Sequence, residues 1–198
     1  MQNNVIDRKI VDEKLNACGI EDMEDATIRD IVKTVNMIEA ESGSRFIRME
    51  MGVPGLAPSK IGIDAEIEAL RNGCAQFYPM LEGLPQLKTE GSKFVKNFVD
   101  IDIKPEGIIP TTGSMQACYA AFMAVTECVK GKDCILFIDP GFPVQKTQVQ
   151  VIGKPLKSFD VYNYRGEALR DKLEEYLSQG DIAAILYSNP NNPAWISF

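Results

Sequence analysis

Two short apolar runs leave few folds open to this chain: Cys134-Ile135-Leu136-Phe137-Ile138 and Ile182-Ala183-Ala184-Ile185-Leu186-Tyr187. Neither alternates apolar with polar residues, so neither suits a sheet with one wet face; each reads as a strand covered on both sides. Between them lie a DPGFP loop, a helical stretch through Gln150, a strand near Leu156 to Phe159, and a helix over Glu167 to Ser178. In that last helix Leu169, Leu173 and Leu177 recur at i, i+4 and i+8, and Gly180 ends it. Upstream, Ile108-Ile109-Pro110-Thr111 reads as the start of a strand that turns at Gly113. A helix from Ser114 to Lys130 then sets Met115, Cys118, Phe122, Val125 and Val129 on one stripe, with Gly131 as its C-cap. Repeated βα units of this kind predict an α/β fold, a mostly parallel sheet with helices on both faces.

The first hundred residues carry no such alternation. Residues 1–26, with acidic Glu21, Asp22, Glu24 and Asp25, read as a mobile or partner-bound arm. Thr27 and Asp30 open a helix in which Ile28, Ile31, Val32, Val35 and Ile38 recur until Gly43 stops it. Met49 to Lys60, MEMGVPGLAPSK, is too rich in Gly and Pro for a regular element and reads as a structured loop. Short helices are expected over Asp64 to Asn72 and Pro85 to Val99; the second sets Leu87, Phe94, Val95 and Phe98 roughly on one side, with Gly91 working against it. The chain stops at NPNNPAWISF, just beyond a strand and with no closing element, so it reads as a portion of a longer fold.

Composition excludes several functions. With 45% hydrophobic residues and no low-complexity tract, the 198-residue chain is not a disordered one. A net charge of −7 argues against nucleic acid as a partner. No apolar run nears the roughly 18 residues of a membrane span. Histidine is absent altogether, which removes Ser-His-Asp and Cys-His catalysis and the commonest zinc sets, so no metal site is expected. The five cysteines, at 18, 74, 118, 128 and 134, form no CxxC pair and fit reduced thiols. The polar N-terminus has no signal core, and a cytoplasmic location is the expectation.

In open parallel sheets ligands bind beyond the carboxyl ends of strands. Three segments are expected there: TTGSMQ at 111–116, DPGFP at 139–143 and SNPNNP at 188–193. A strand-turn-helix with Gly113 and Ser114 offers backbone N–H groups and a helix dipole to a phosphate, although a simple Ser or Thr cap looks the same. Phe142 between Gly141 and Pro143 could plug a core or stack on a planar ligand. Asn189, Asn191 and Asn192 among prolines form a turn on their own. Together the three suit a flat, phosphorylated heteroaromatic cofactor.

The segments GVPGLAPS at 52–59, YPMLEGLPQLK at 78–88, GSMQ at 113–116 and NPNNPAW at 189–195 occur in this order. In them the chain resembles the N-terminal half of a class I/II aminotransferase, a pyridoxal-phosphate enzyme of fold type I, from about Arg48 to Trp195. The resemblance implies residues 1–60 as arm, helix and substrate loop of a small domain, and 61–198 as an incomplete cofactor-binding large domain. It implies that Gly52 meets the substrate carboxylate through its backbone, and that Tyr78 reaches the phosphate in the other subunit of a homodimer with shared sites. It further implies a phosphate turn at Gly113, Ser114 and Met115, a ring stacked on Phe142, and an amide at Asn192 for the cofactor's phenolic oxygen and the substrate carboxylate. The substrates implied are an amino acid and a 2-oxo acid.

Ala194 and Trp195 depart from this pattern, which most often has Thr and Gly there. The cofactor-bonding lysine, the aspartate opposite the pyridine nitrogen and the carboxylate-clamping arginine of the family would all fall beyond Phe198. The chain by itself is therefore expected to be inactive. A lyase or synthase on the same fold, a truncated dimerisation or binding protein, and a nucleotide-binding domain are the competing readings; the last is the weakest, since GxGxxG is missing after the first strand.

Overall fold

The structure is a computed structural model and describes residues 6–53, 55–195 and 197. The chain divides into two compact units, Met1–Phe77 and Tyr78–Phe198.

In the first unit the sequence leads to a pair of helices. Helix α1 (Arg8–Ala17) starts at Asp7, whose side chain accepts from the Lys9 N–H at 2.9 Å. Residues 8–17, read above as part of an arm, are thus helical. Half-buried Val11 and Leu15 line one groove with Ile31, Val35 and Ile38 of helix α2 (Ile28–Ser42), and Lys14 pairs with Glu41. A chain too short to bury much by itself gains order by covering its neighbour's apolar stripe. Helix α2 has the expected capping box at Thr27 and Asp30, and Gly43 ends it at φ 69°. The segment after it is tied back to α2: the Phe46 N–H donates to Glu39 at 2.8 Å and Arg48 donates to Asn36 at 2.8 Å. The described part of the 49–59 stretch has no regular structure, as its Gly and Pro content predicts, and helix α3 (Lys60–Arg71) follows with every residue exposed.

The second unit opens with helix α4 (Pro85–Val99), which has Pro at its first position. Gly91 is accommodated because the chain comes close there: an ideal Cβ would lie 3.4 Å from Ile108 Cδ1. Ser92 donates to the Ile103 carbonyl at 2.6 Å. The strand expected at Ile108–Thr111 does not form. A 3-10 turn (Pro105–Gly107) precedes it, Pro110 has no N–H to give a ladder, and its ring packs on Gly83 instead. At Gly83, with φ 86°, an ideal Cβ would lie 2.5 Å from Pro110 Cδ, so only glycine fits.

Helix α5 (Gly113–Cys128) stops two residues before the expected end. Val129 and Lys132 bridge in antiparallel fashion around Gly131, φ 83°, which shapes a turn and not a helix cap. Strands β1 (Cys134–Asp139), β2 (Leu156–Asp160) and β3 (Ile182–Leu186) form a wholly parallel sheet in the order β2-β1-β3. Helices α6 (Val144–Val151) and α7 (Glu167–Leu177) make the crossovers. The central strand is buried on both faces. Cys134, Leu136 and Ile138 join Phe159, Val161 and Ile182 against Leu169 and Leu173 of α7. Ile135 and Phe137 join Phe122 of α5 and Val149 of α6. This is the two-sided cover that the unbroken apolar run requires.

Candidate functional site

The carboxyl ends of β1 and β3 are neighbours because the strands are parallel and adjacent. From β1 the chain enters the 139–143 loop, and from β3 the 187–195 turn. Phe142 is 43% exposed and lines a small depression with Gly141, Lys146, Tyr187 and Ser188. At its rim Lys146 Nζ is 2.5 Å from Asp139, both side chains half-buried, and 5.8 Å from the Phe137 ring centre. Asn192 is exposed in its turn. Its neighbour Asn191 is buried and donates to the Pro140 carbonyl at 2.7 Å, which joins the two loops. The structure thus brings Phe142 and Asn192 onto adjoining loops.

The TTGSMQ segment is the first turn of α5. No side chain caps this helix: Thr111 donates to the Gly113 carbonyl at 3.1 Å, and the Thr112 N–H donates to Gln116 Oε1 at 2.5 Å. Gly113 has φ 76° and open space where a Cβ would stand, and Ser114 is exposed. Gln148 of α6 donates to the Met115 carbonyl at 2.9 Å and fixes the turn from outside. Thr111, Thr112 and Gln116 line an open cleft with Met80, Leu84 and Pro110. Tyr78, just before that loop, is fully exposed.

Gly52 belongs to the other unit, where it is exposed with nothing within 4 Å of an added Cβ. Just before it, Arg48 meets Glu50 at 2.6 Å, and that hydrogen bond, first among its causes, holds the Glu50 carboxyl below its usual range. Pro54 of the GVPG motif lies outside the described residues.

Sequence reasoning placed Asn191 and Gln116 in their turns without their partners, and did not single out Gln148. Nothing in NPNNP tells which asparagine is buried, and a glutamine on a helix carries no signal of its partner. Trp195, which stands where the resembling pattern has Gly, keeps a left-handed backbone at φ 51°.

Pyridoxal phosphate fits these residues by the chemistry of its parts. An uncapped helix start with a Cβ-free glycine suits a phosphate, and an exposed ring and an exposed amide on adjoining loops suit a flat, polar-edged heteroaromatic. Among the described residues no cluster of His, Cys, Asp and Glu could hold a metal, and no helix is long and apolar enough to cross a membrane.

Comparison with known proteins agrees with this chemistry. The chain is 28% identical over 167 residues to (5-formylfuran-3-yl)methyl phosphate transaminase of Methanocaldococcus jannaschii, covering 84% of this chain and 41% of that one. It is 26% identical over 168 residues to LL-diaminopimelate aminotransferase of Natranaerobius thermophilus, covering 83% and 42%. Among solved structures, alanine aminotransferase from Pyrococcus furiosus superposes with a TM-score of 0.66 at 26% identity, over 84% of this chain and 42% of that one. The chain thus spans about two-fifths of the length of the curated relatives it matches. The family model for class I and II aminotransferases, whose members depend on pyridoxal phosphate, matches residues 45–194. That span holds the 139–143 loop, Asn191 and Asn192 and the α5 turn, and the chain belongs to the class I and II aminotransferase family.

Proposed function

We propose that this chain supplies the cofactor cradle of an enzyme that moves an amino group between an amino acid and a 2-oxo acid. The observation that carries the reading is the adjoining placement of Phe142 and Asn192 at two strand ends, in a unit that also holds an uncapped α5. In this reading the N–H groups at Ser114 and Met115, with Gly113 leaving room, hold the phosphate. Phe142 covers one face of the pyridine ring. Asn192 donates to the phenolic oxygen and orients the substrate carboxylate, which the Gly52 backbone also meets. Tyr78 serves the phosphate of the second subunit. Residues 1–60 then belong to a small domain and 61–198 to the large one.

When bound, pyridoxal phosphate supplies an electron sink for the pair left on the substrate's Cα. Phe142 would cover the ring and the α5 turn would hold the phosphate, so the residues of this chain would orient the bound cofactor before the substrate arrives. No lysine of this chain is assigned the covalent role, so the 198 residues alone are expected to bind the cofactor weakly and not to transaminate.

Absorbance titration of the full-length protein with pyridoxal phosphate tests the reading. A visible band and transamination are expected. Asn192→Ala should lose on the order of 1–3 kcal/mol of catalytic free energy, the worth of one oriented hydrogen bond that the bound cofactor would cover, with little change in Tm. A protein that takes up no cofactor, or a variant with wild-type rate and spectrum, would sink it.

A further inference from the structure

Asn191 is 2% exposed, while the asparagine next to it is exposed. A buried amide is costly unless its polar atoms are met, and this one meets them on both sides. Its Nδ2 donates to the Pro140 carbonyl, 51 residues earlier, at 2.7 Å. Its Oδ1 accepts from the Ala194 N–H at 3.2 Å, and its own carbonyl accepts from the Trp195 N–H at 2.6 Å. One residue therefore closes the 191–195 turn on itself and fastens that turn to the start of the 139–143 loop.

The two loops leave neighbouring parallel strands, and the Asn191 amide joins them. Phe142 stands two residues beyond the accepting carbonyl, and Asn192 one residue beyond the donating amide. Any slack between the loops would change the distance from ring face to amide. We propose that Asn191 is a positioning residue, which sets Phe142 and Asn192 at one mutual placement before a ligand arrives. The proposal rests on the reading of Phe142 and Asn192 as cofactor contacts. It adds a buried amide that touches neither substrate nor cofactor and acts through both loops. Groups held in place beforehand spare the ligand the entropy of ordering them.

The test compares Asn191→Asp and Asn191→Ala with the wild-type full-length protein, titrated with pyridoxal phosphate from pH 5 to 8. An aspartate keeps the size and the acceptor for Ala194. Ionised, it turns an oxygen on the Pro140 carbonyl; protonated, it can donate as the amide does. Burial resists the ionised form and moves this titration up into the accessible range. Cofactor affinity of Asn191→Asp should therefore be about tenfold weaker than wild type at pH 8 and return towards it as pH falls. Asn191→Ala should be about tenfold weaker at every pH.

Equal affinity of all three proteins at every pH would overturn the proposal. So would an affinity loss in Asn191→Asp that follows a lowered Tm without recovering at low pH, which would leave Asn191 a purely structural residue. Failure of the wild type to take up cofactor overturns the underlying site reading and this proposal with it. Should both variants fail to fold, amide hydrogen exchange on the wild type decides. The Ala194 and Trp195 N–H groups should exchange at least tenfold more slowly than unprotected loop amides, and free exchange there overturns the tie.

Discussion

Cys134 shows how far one position can be dictated by its surroundings. Its side chain is fully buried at the start of β1, and burial first, then the nearby Asp181 charge, pushes its thiol up. The thiolate is the reactive form, so Cys134 should resist alkylation in the folded chain, while exposed Cys74 and Cys128 react readily. Timed labelling with iodoacetamide and mass spectrometry reads this directly; modification of Cys134 as fast as Cys74 would contradict it. Two residues on, Leu136 is also fully buried and packs in the α7-side cluster. Leu136→Ala should cost about 2–5 kcal/mol, the range for a buried leucine that leaves a cavity, measured as a lower urea midpoint.

At the scale of elements the instructive piece is Lys157, on β2, which reaches Asp181 at 2.7 Å and Gln179 at 2.6 Å, just before β3. The two strands it serves are separated by β1, so the side chain straps the outer strands of the sheet together at one end. The hydrogen bond between the partners is the first cause of both shifts: Asp181 is held below 3.8 and Lys157 above 10.5. A lowered carboxyl stabilises above its unfolded pKa and loses that effect as pH falls through the folded one; a raised lysine does so below its unfolded pKa and loses it as pH rises. The difference in urea midpoint between wild type and Lys157→Met should thus be flat from about pH 5 to 9 and shrink beyond either end. A constant difference down to the acid limit would show that the strap works through packing alone.

Elements of this kind were legible where local chemistry decided them. The unbroken apolar runs of β1 and β3 and the Thr27 capping box stand where their residues predict, and Leu169 and Leu173 of α7 pack on the core, while Leu177, the last of that stripe, is exposed. The expected strand at Ile108–Thr111 failed because pairing is a property of two segments, and here Pro110 finds Gly83 across the chain instead. The helix at residues 8–17 went unread within the arm because a short amphipathic helix depends on a partner, here α2, and local pattern does not show that the two pair. In the site, the motifs pointed to Phe142, Asn192 and the α5 turn, but hydrogen bonds across long separations, such as Asn191 to Pro140, leave no trace in spacing.

For the molecule as a whole the testable matter is assembly. Aminotransferases of this family are generally dimeric, and Tyr78 is fully exposed in this single chain. If Tyr78 serves the second subunit, hybrids that pair a Tyr78→Phe subunit with one lacking the cofactor-bonding lysine have one informative site. That site has a working lysine and borrows its phenol from the partner, so activity per working lysine should equal wild type. A value equal to the Tyr78→Phe homodimer would place the phenol in its own subunit's site. The order β2-β1-β3 has a further consequence, for synthesis. The strand that must end up in the middle leaves the ribosome first. After β2 is complete at Asp160, the ribosome still has to add roughly 26 residues to reach Leu186, which takes on the order of one to five seconds. For that interval the central, buried strand β1 has one backbone edge unpaired and open to any other nascent chain. The charges at Lys132, Asp133 and Asp139, which bracket Cys134 to Ile138, stand where gatekeepers against such pairing belong.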